Sequence, residues 1–458
     1  MQKETKPNQV VIAIIIATFL TAIEGTIVST AMPKIVYDLG GSHLYSWVIS
    51  IYLLASVISA PIIGKSADLF GRKVLFQLSI LIFLTGSVLS GLSQSMVQLI
   101  LFRFIQGIGA GGLVTIPMTI IGDVFSLQER AKVQGWISSV WGISGILGPL
   151  IGGFIVDTFS WHWIFFMNLP FGIPACIVMQ NALFEQVKKK KQTIDYPGII
   201  TFSVSTASFL YGLNLLKEQQ QLTESSVVFF AITIIFLGLF LWFEARSREP
   251  MMPLFLYKNP FLTISYVVSF IIGFILVAVT FYIPLWVQGV NGKSAMLSGL
   301  AVFPLSVTWI FGAFITNKFI TKSSIAKLGL FGISTLLAGC IGLLFLQEQT
   351  AILWMMLITG ILGIGFGLSN TLFTVVVQSA VTWDLRGSAM GVLSLMRNLG
   401  QTIGISVSGI LLSETLFGIE LAMSLHQVFW ILTGIALIAL MLSGLLIGKK
   451  LEQPEKGS

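Results

Sequence analysis

The sequence is poor in charge, cysteine and histidine. Only 10% of its 458 residues are Asp, Glu, Lys or Arg, against about 25% in an ordinary soluble domain. Such a chain lacks the polar surface that would keep it in water, which excludes a soluble enzyme and a disordered protein. The two cysteines, Cys176 and Cys340, both sit in apolar runs, so they are expected as buried thiols and a secreted disulfide scaffold is excluded. The three histidines, His43, His162 and His426, are scattered without metal-ligand spacing, and no metal site is expected. What the chain does have is 45 Gly, 35 Phe and 11 Trp and a mean hydropathy of +0.92. That composition suits packed membrane helices, which tolerate more Gly than soluble ones. The expectation is an all-α polytopic membrane protein.

A helix crossing about 30 Å of hydrocarbon needs roughly 20 apolar residues. Fourteen such runs are present, at 10–31, 45–64, 74–92, 97–121, 135–156, 164–182, 198–216, 226–243, 260–281, 296–317, 325–346, 351–377, 388–412 and 425–448. The first is too long for a signal-peptide core and reads as a retained span. With a cytoplasmic N-terminus, 21 of the 26 basic residues fall in inner connections and tails, and only Lys34, Lys217 and Lys293 fall outside. The bias obeys the positive-inside rule and places both termini in the cytoplasm. The net charge of +7 is therefore a topological signature, and a nucleic-acid partner is not expected.

One constant shift of 256 residues aligns Gly107, Gly109 and Gly111 with Gly363, Gly365 and Gly367. The same shift pairs Thr115 with Thr371, Arg130 with Arg386, Gly135 with Gly391, Ser138 with Ser394, Gly148 with Gly404 and Gly153 with Gly409. Spans four and five thus correspond to spans twelve and thirteen, as in proteins built from duplicated bundles. The expected organisation is a six-helix bundle at 1–184, a linker with two extra spans at 185–257, and a second six-helix bundle with a cytoplasmic tail at 258–458. The basic run Lys188–Lys191 opens that linker. Gly107-Ile-Gly109-Ala-Gly-Gly112 matches a nucleotide-loop pattern, but it lies mid-helix with no preceding strand, so close helix packing is the better reading. Gly292-Lys293-Ser294 resembles the end of a phosphate loop, but Val287 stands where the first Gly belongs.

Ionisable groups inside spans are expensive and mark functional candidates. Glu24, Arg103 and Arg397 are three of these. At 1.5 Å per residue, Glu24 and Arg103 both lie about 9 Å below the outer side of the first bundle. Burial there favours a neutral acid and a nearby guanidinium favours the carboxylate, a balance suited to gaining and losing a proton. A structural ion pair is the alternative. Arg397 lies near mid-depth with no obvious acidic partner, and helix pinning through carbonyls or amides is as good a reading as a functional role.

At this point a family resemblance becomes visible. The loop Gly64-Lys-Ser-Ala-Asp68-Leu-Phe-Gly71-Arg72-Lys73 resembles the signature loop of the major facilitator superfamily, and Arg103-Phe-Ile-Gln106-Gly107 resembles its second motif. Gly148-Pro149-Leu-Ile-Gly152-Gly153 resembles the motif of its antiporters. Glu24-Gly-Thr26-Ile-Val-Ser-Thr-Ala31-Met-Pro33 and Trp161-His-Trp163-Ile-Phe-Phe-Met-Asn168-Leu-Pro170-Phe-Gly172 are similar to sequences of the fourteen-span drug:proton antiporters. The chain departs from the pattern at Glu24, where Asp is usual, at Ser144 for Gly and at His162 for Arg. Its second copy of the loop motif, around Asn317 to Lys322, has no matching Asp.

The resemblance implies a major facilitator fold and a proton-coupled antiporter of the cell membrane that exports amphipathic drugs or dyes. Its coupling groups are Glu24 and Arg103, it draws on the proton gradient with no cofactor, and it is expected to act as a monomer. Asp68 can lie near the N-terminal dipole of the third span. Arg72 and Lys73 either latch one bundle to the other or simply set topology. Gly64 and Gly71 allow close approach in the loop, and Gly148, Pro149, Gly152 and Gly153 allow packing and a bend in span five. Tyr52, Trp141, Gln288, Asn370 and Arg397 are candidates to line a substrate cavity, with ordinary helix packing as the alternative. Rival readings are an exporter dedicated to one metabolite, lipid or antibiotic, a proton-coupled uptake symporter, and a non-transporting scaffold. The cost of burying Glu24 and Arg103 argues against the scaffold.

Overall fold

A computed structural model of the chain describes residues 5–125, 127–185, 195–219, 221–247, 250, 252–319, 324–381, 385–413 and 415–448. The expected basic run Lys188–Lys191 lies outside them. Contacts divide the chain into two compact units, Met1–Ile194 and Asp195–Ser458. The first contains α1 (Pro7–Leu39), α2 (Tyr45–Phe70), α3 (Arg72–Gly91), α4 (Met96–Val124), α5 (Leu127–Thr158), the four-residue α6 (Trp163–Phe166) and α7 (Leu169–Ala182). The second contains α8 (Tyr196–Gln219), α9 (Glu224–Arg246), α10 (Pro260–Leu285), α11 (Ala295–Phe319), α12 (Ile325–Leu343), α13 (Ile352–Ser379), α14 (Arg386–Ile410) and α15 (Gly418–Gly444).

The fourteen long helices coincide with the fourteen apolar runs, and among the described residues eleven are long and apolar enough to cross a membrane. The three that fall short are more polar. The apolar part of α5 is the shorter stretch Ile143–Thr158, α8 carries Ser203, Ser205, Thr206 and Ser208, and α14 carries Arg397, Asn398, Gln401 and Thr402. Helices dominate because backbone groups in hydrocarbon must find partners within their own segment. Their ends are set locally. The Ser95 hydroxyl accepts from Gln98 N at the start of α4, Thr223 and Ser226 form a capping box on α9, and Asn259 accepts from Phe261 N beside Pro260 at the start of α10, each offsetting orphan donors of a first turn. Gly71 separates α2 from α3 with φ +95°, a conformation that a side chain resists.

The α8–α9 pair packs on itself, and α8 packs on α14, which groups the pair with the second unit. Within the first unit, α4 lies between α2 and α3, and α5 lies along α1. The second unit repeats this with α13 between α11 and α12 and α14 along α10. The glycines aligned by the 256-residue shift make equivalent contacts. A Cβ on Gly107 would come within 3.0 Å of Tyr52 O and Ala55 on α2, and one on Gly363 would strike Leu305 O and Thr308 on α11. Gly109 faces Ser79 and Phe83 on α3 as Gly365 faces Leu336 on α12, and Gly148 faces Thr26 on α1 as Gly404 faces Phe274 on α10. The duplication is therefore a duplicated set of close helix crossings. Lipid is as apolar as a side chain, so van der Waals contact at such crossings holds membrane helices together.

Replacing Gly109 by Val is expected to lower stability by about 1–3 kcal/mol, the cost of overpacking, because α3 backbone lies where the new atoms would go. Gly238→Val is the control, since no described atom lies within 4 Å of a Cβ there. Thermal unfolding of both proteins in the same detergent checks the difference.

Candidate functional site

The first unit brings its intramembrane charges together. Glu24 on α1 is 1% exposed and Arg103 on α4 is 2% exposed, and Arg103 Nη1 donates to Glu24 Oε1. The same nitrogen donates to Gln106 Oε1 (2.7 Å), one turn further along α4, and Arg103 Nε donates to the Val48 carbonyl of α2 (3.4 Å). The guanidinium lies 4.0 Å from the centre of the Tyr52 ring and 5.9 Å from that of Phe165. The depth expected from helix rise alone thus places the two groups in contact. Gly86 and Gly107 make the geometry possible, because each admits the neighbouring backbone of α4 or α2 where a side chain would stand.

The other oxygen of Glu24 has a partner that counting charges had missed. Asn168, buried at the joint between α6 and α7, donates through Nδ2 to Glu24 Oε2 (2.9 Å) and to Ser87 Oγ of α3 (2.8 Å). The Ser87 hydroxyl in turn donates to the Phe165 carbonyl (2.8 Å). Glu24 is therefore held from α4 and from the α6–α7 joint at once. Gln106 is also fully buried, and its Nε2 has no hydrogen-bond partner among the described residues. Gln106 and Asn168 stand in the motif-like segments of α4 and 161–172, which did not give their partners, and the advance signal for Ser87 was only a polar residue inside an apolar segment.

The motif loop is organised by an acid that the sequence reading did not single out. Glu185, just beyond α7, accepts from the backbone N–H of Arg72 (2.7 Å) and Lys73 (3.2 Å) through Oε2 and from Arg72 Nη1 (3.4 Å) through Oε1. Lys73 Nζ donates to the Gln180 carbonyl (2.6 Å). These contacts are all within the first unit, and they set a carboxylate on the N-terminus of α3, where the helix dipole favours it. The Asp68 side chain, expected near that dipole, lies outside the described residues. No described atom lies within 4 Å of a Cβ at Gly64, so no close approach is seen there, whereas Gly71 is required by its backbone.

Of the antiporter-like motif, Gly148 and Gly152 let α5 lie against Thr26 and Thr30 of α1, the helix that carries Glu24, and Pro149 and Gly153 are buried in α5. Ser144, the small substitute for Gly, is also buried and its carbonyl accepts from Thr26 Oγ1 (3.4 Å). Trp141 on the same helix is 48% exposed and is not drawn to the charged cluster. His162 stacks on Trp161 (3.7 Å), whose Nε1 donates to Asp38 at the end of α1 (3.2 Å). Burial holds the His162 imidazole below its usual range, with Asp38 opposing.

In the second unit, Arg397 Nη1 donates to Asn370 Oδ1 (3.4 Å), so two residues named separately form one α13–α14 link through an amide. Gln288 lies in a π-helical turn at Trp286–Val290 and donates to Ser298 Oγ (2.9 Å). The 256-residue shift sets Thr359 opposite Arg103, and its hydroxyl merely donates to the Ala301 carbonyl (2.7 Å). A further buried acid, Glu244, ends α9 and accepts from Met252 N (2.9 Å). Burial, and then the Glu244 charge, pushes the nearby Tyr257 phenol up to about 12.

The Major Facilitator Superfamily model matches residues 14–405, and the chain belongs to that superfamily. It is 33% identical over 409 residues to "Multidrug resistance protein 3" of Bacillus subtilis (strain 168), covering 89% of this chain and 80% of that one. It is 31% identical over 434 residues to "Multidrug efflux pump SdrM" of Staphylococcus aureus (strain N315), covering 94% of each. A crystal structure of a D-xylose–proton symporter shares the fold with a TM-score of 0.69 at 14% identity, covering 98% of this chain and 99% of that one. The protein is thus a membrane transporter and not an enzyme.

Removing one partner of a buried ion pair costs about 3–5 kcal/mol because it strands the other charge. Arg103→Leu alone is therefore expected to unfold at a lower temperature than the double variant Glu24→Gln/Arg103→Leu. Thermal unfolding of both in detergent reads the order. Separately, Glu185→Ala is expected to destabilise the α3 start by about 1 kcal/mol, seen as faster amide exchange at Arg72 and Lys73.

Proposed function

We propose that this transporter is a proton-coupled antiporter that exports amphipathic drugs or dyes by alternating access. In this reading all fourteen long helices cross the cell membrane, both termini are cytoplasmic, and the monomer is the working unit. The observation that carries the proposal is the Glu24 site, a carboxylate buried from solvent with a guanidinium on one oxygen and an amide on the other. Such a group holds a proton or a positive partner, but not both at full strength.

Ionised, Glu24 is stabilised by Arg103 and Asn168. When a proton neutralises it, Arg103 keeps the Gln106 oxygen, the Val48 carbonyl and the face of Tyr52, so the guanidinium is never left bare in a low-dielectric interior. A cationic drug favours the ionised carboxylate and drives the proton off, and the returning proton weakens the drug. Mutually exclusive occupancy is the thermodynamic core of exchange, because each ligand lowers the affinity for the other by the same factor. Helix α5 packs through Gly148 and Gly152 on the helix bearing Glu24, a route by which charge at that site reaches a long helix containing Pro149.

Export is favoured by relatives named for multidrug resistance and efflux. Uptake by symport is the second reading, because a D-xylose–proton symporter shares the fold and fold alone does not set direction. Proteoliposomes under an imposed pH gradient decide. The expected result is ethidium moving against the proton flow, reduced to background in Glu24→Gln and partly retained in Glu24→Asp. Ethidium moving with protons overturns antiport, and full transport by Glu24→Gln removes the assigned carboxylate. Adding zwitterionic and neutral drugs separates a multidrug exporter from one dedicated to a single compound.

A further inference from the structure

We propose that Asn168 and Ser87 form a switchable hydrogen-bond relay that reports the protonation state of Glu24 to α3 and to the α6–α7 joint. The proposal rests on Glu24 being the coupling carboxylate. The relay runs from Glu24 Oε2 to Asn168 Nδ2 (2.9 Å), from Asn168 Nδ2 to Ser87 Oγ (2.8 Å), and from Ser87 Oγ to the Phe165 carbonyl (2.8 Å). Glu24, Asn168 and Ser87 are all at most 1% exposed, so water does not replace a lost bond. The charged and titratable groups facing the site are Arg103 from α4 and the Tyr52 phenol from α2, with the Phe165 ring from α6.

An ionised carboxylate only accepts hydrogen bonds, so the amide must present its NH2 group to Glu24. Arg103 occupies Oε1, so an arriving proton is directed to Oε2, which then becomes an O–H donor facing an N–H donor. Two donors in contact in a buried site cost the full desolvation of one of them. Turning the carboxamide over removes the conflict and points Asn168 Oδ1 at both Glu24 and Ser87. Oδ1 accepts the new Glu24 O–H, and the Ser87 hydroxyl rotates from the Phe165 carbonyl to Oδ1. One proton is taken up on Oε2 and no covalent bond breaks; three hydrogen bonds become two, the Phe165 carbonyl in α6 loses its donor, and the Asn168 NH2 is turned away from Glu24 and Ser87. A hydrophobic side chain cannot serve both states, and a lysine or arginine serves only the ionised one.

The test uses the full chain, with ethidium efflux measured in proteoliposomes and hydrogen exchange measured in nanodiscs, each across a pH series. In the wild type, exchange around Ser87 and across 163–168 is expected to change with pH, and Glu24→Gln abolishes that change. Asn168→Leu is expected to abolish it as well. It also moves the pH profile of efflux upward by about one unit, because the ionised carboxylate loses a donor. Ser87→Ala tests the relay without touching the Glu24 contact and is expected to lose the 163–168 response. An unshifted efflux profile in Asn168→Leu, or a persisting 163–168 response in Ser87→Ala, overturns the relay. If the relay fails while Glu24→Gln still loses efflux, the coupling assignment stands. If Glu24→Gln retains efflux and the pH response, both fall.

Discussion

A carboxylate buried among apolar helices must be partnered in whichever charge state it adopts, and the first unit is built around that constraint. Glu24 has Arg103 on one oxygen and Asn168 on the other. Arg103 in turn has acceptors that do not depend on Glu24 being charged, in Gln106, the Val48 carbonyl and the Tyr52 face. Four helices and the α6–α7 joint converge on one ion pair, and replacing that pair by apolar groups would often be as stable. What the pair offers beyond stability is a carboxylate whose guanidinium partner keeps other acceptors.

The scaffold that supports it is generic and duplicated. Gly107, Gly109 and Gly111 on α4 admit α2 and α3 as Gly363, Gly365 and Gly367 on α13 admit α11 and α12. The chemistry is not duplicated. Where the first unit has Arg103 the second has Thr359 bonded to a backbone carbonyl, and its half-buried guanidinium, Arg397, meets an amide. A symmetric frame thus carries asymmetric polar content, with the buried acid–guanidinium pair in the first unit.

The helical frame was legible because length and hydropathy alone specify a membrane helix. The fourteen runs correspond to fourteen long helices, with α5, α8 and α14 the more polar ones. The Glu24–Arg103 encounter was legible too, because rise per residue fixes depth and two charges at one depth in one bundle have strong reason to meet. Asn168 was not, since an uncharged amide looks alike in sequence whether it solvates a carboxylate or ends a helix. Glu185 was hidden beside a Lys-rich segment, where a lone acid reads as ordinary loop charge. Trp141, a candidate only by being an aromatic in a span, is 48% exposed and carries no contact that would have marked it in advance.

In the proposed mechanism, proton and drug exclude each other at Glu24. The most direct measurement is proton release when ethidium binds the purified protein in weakly buffered detergent, followed with a pH dye. Mutual exclusion requires release by the wild type and none by Glu24→Gln at concentrations where both proteins still bind ethidium. Binding without release in the wild type, or equal release in the two proteins, would contradict it.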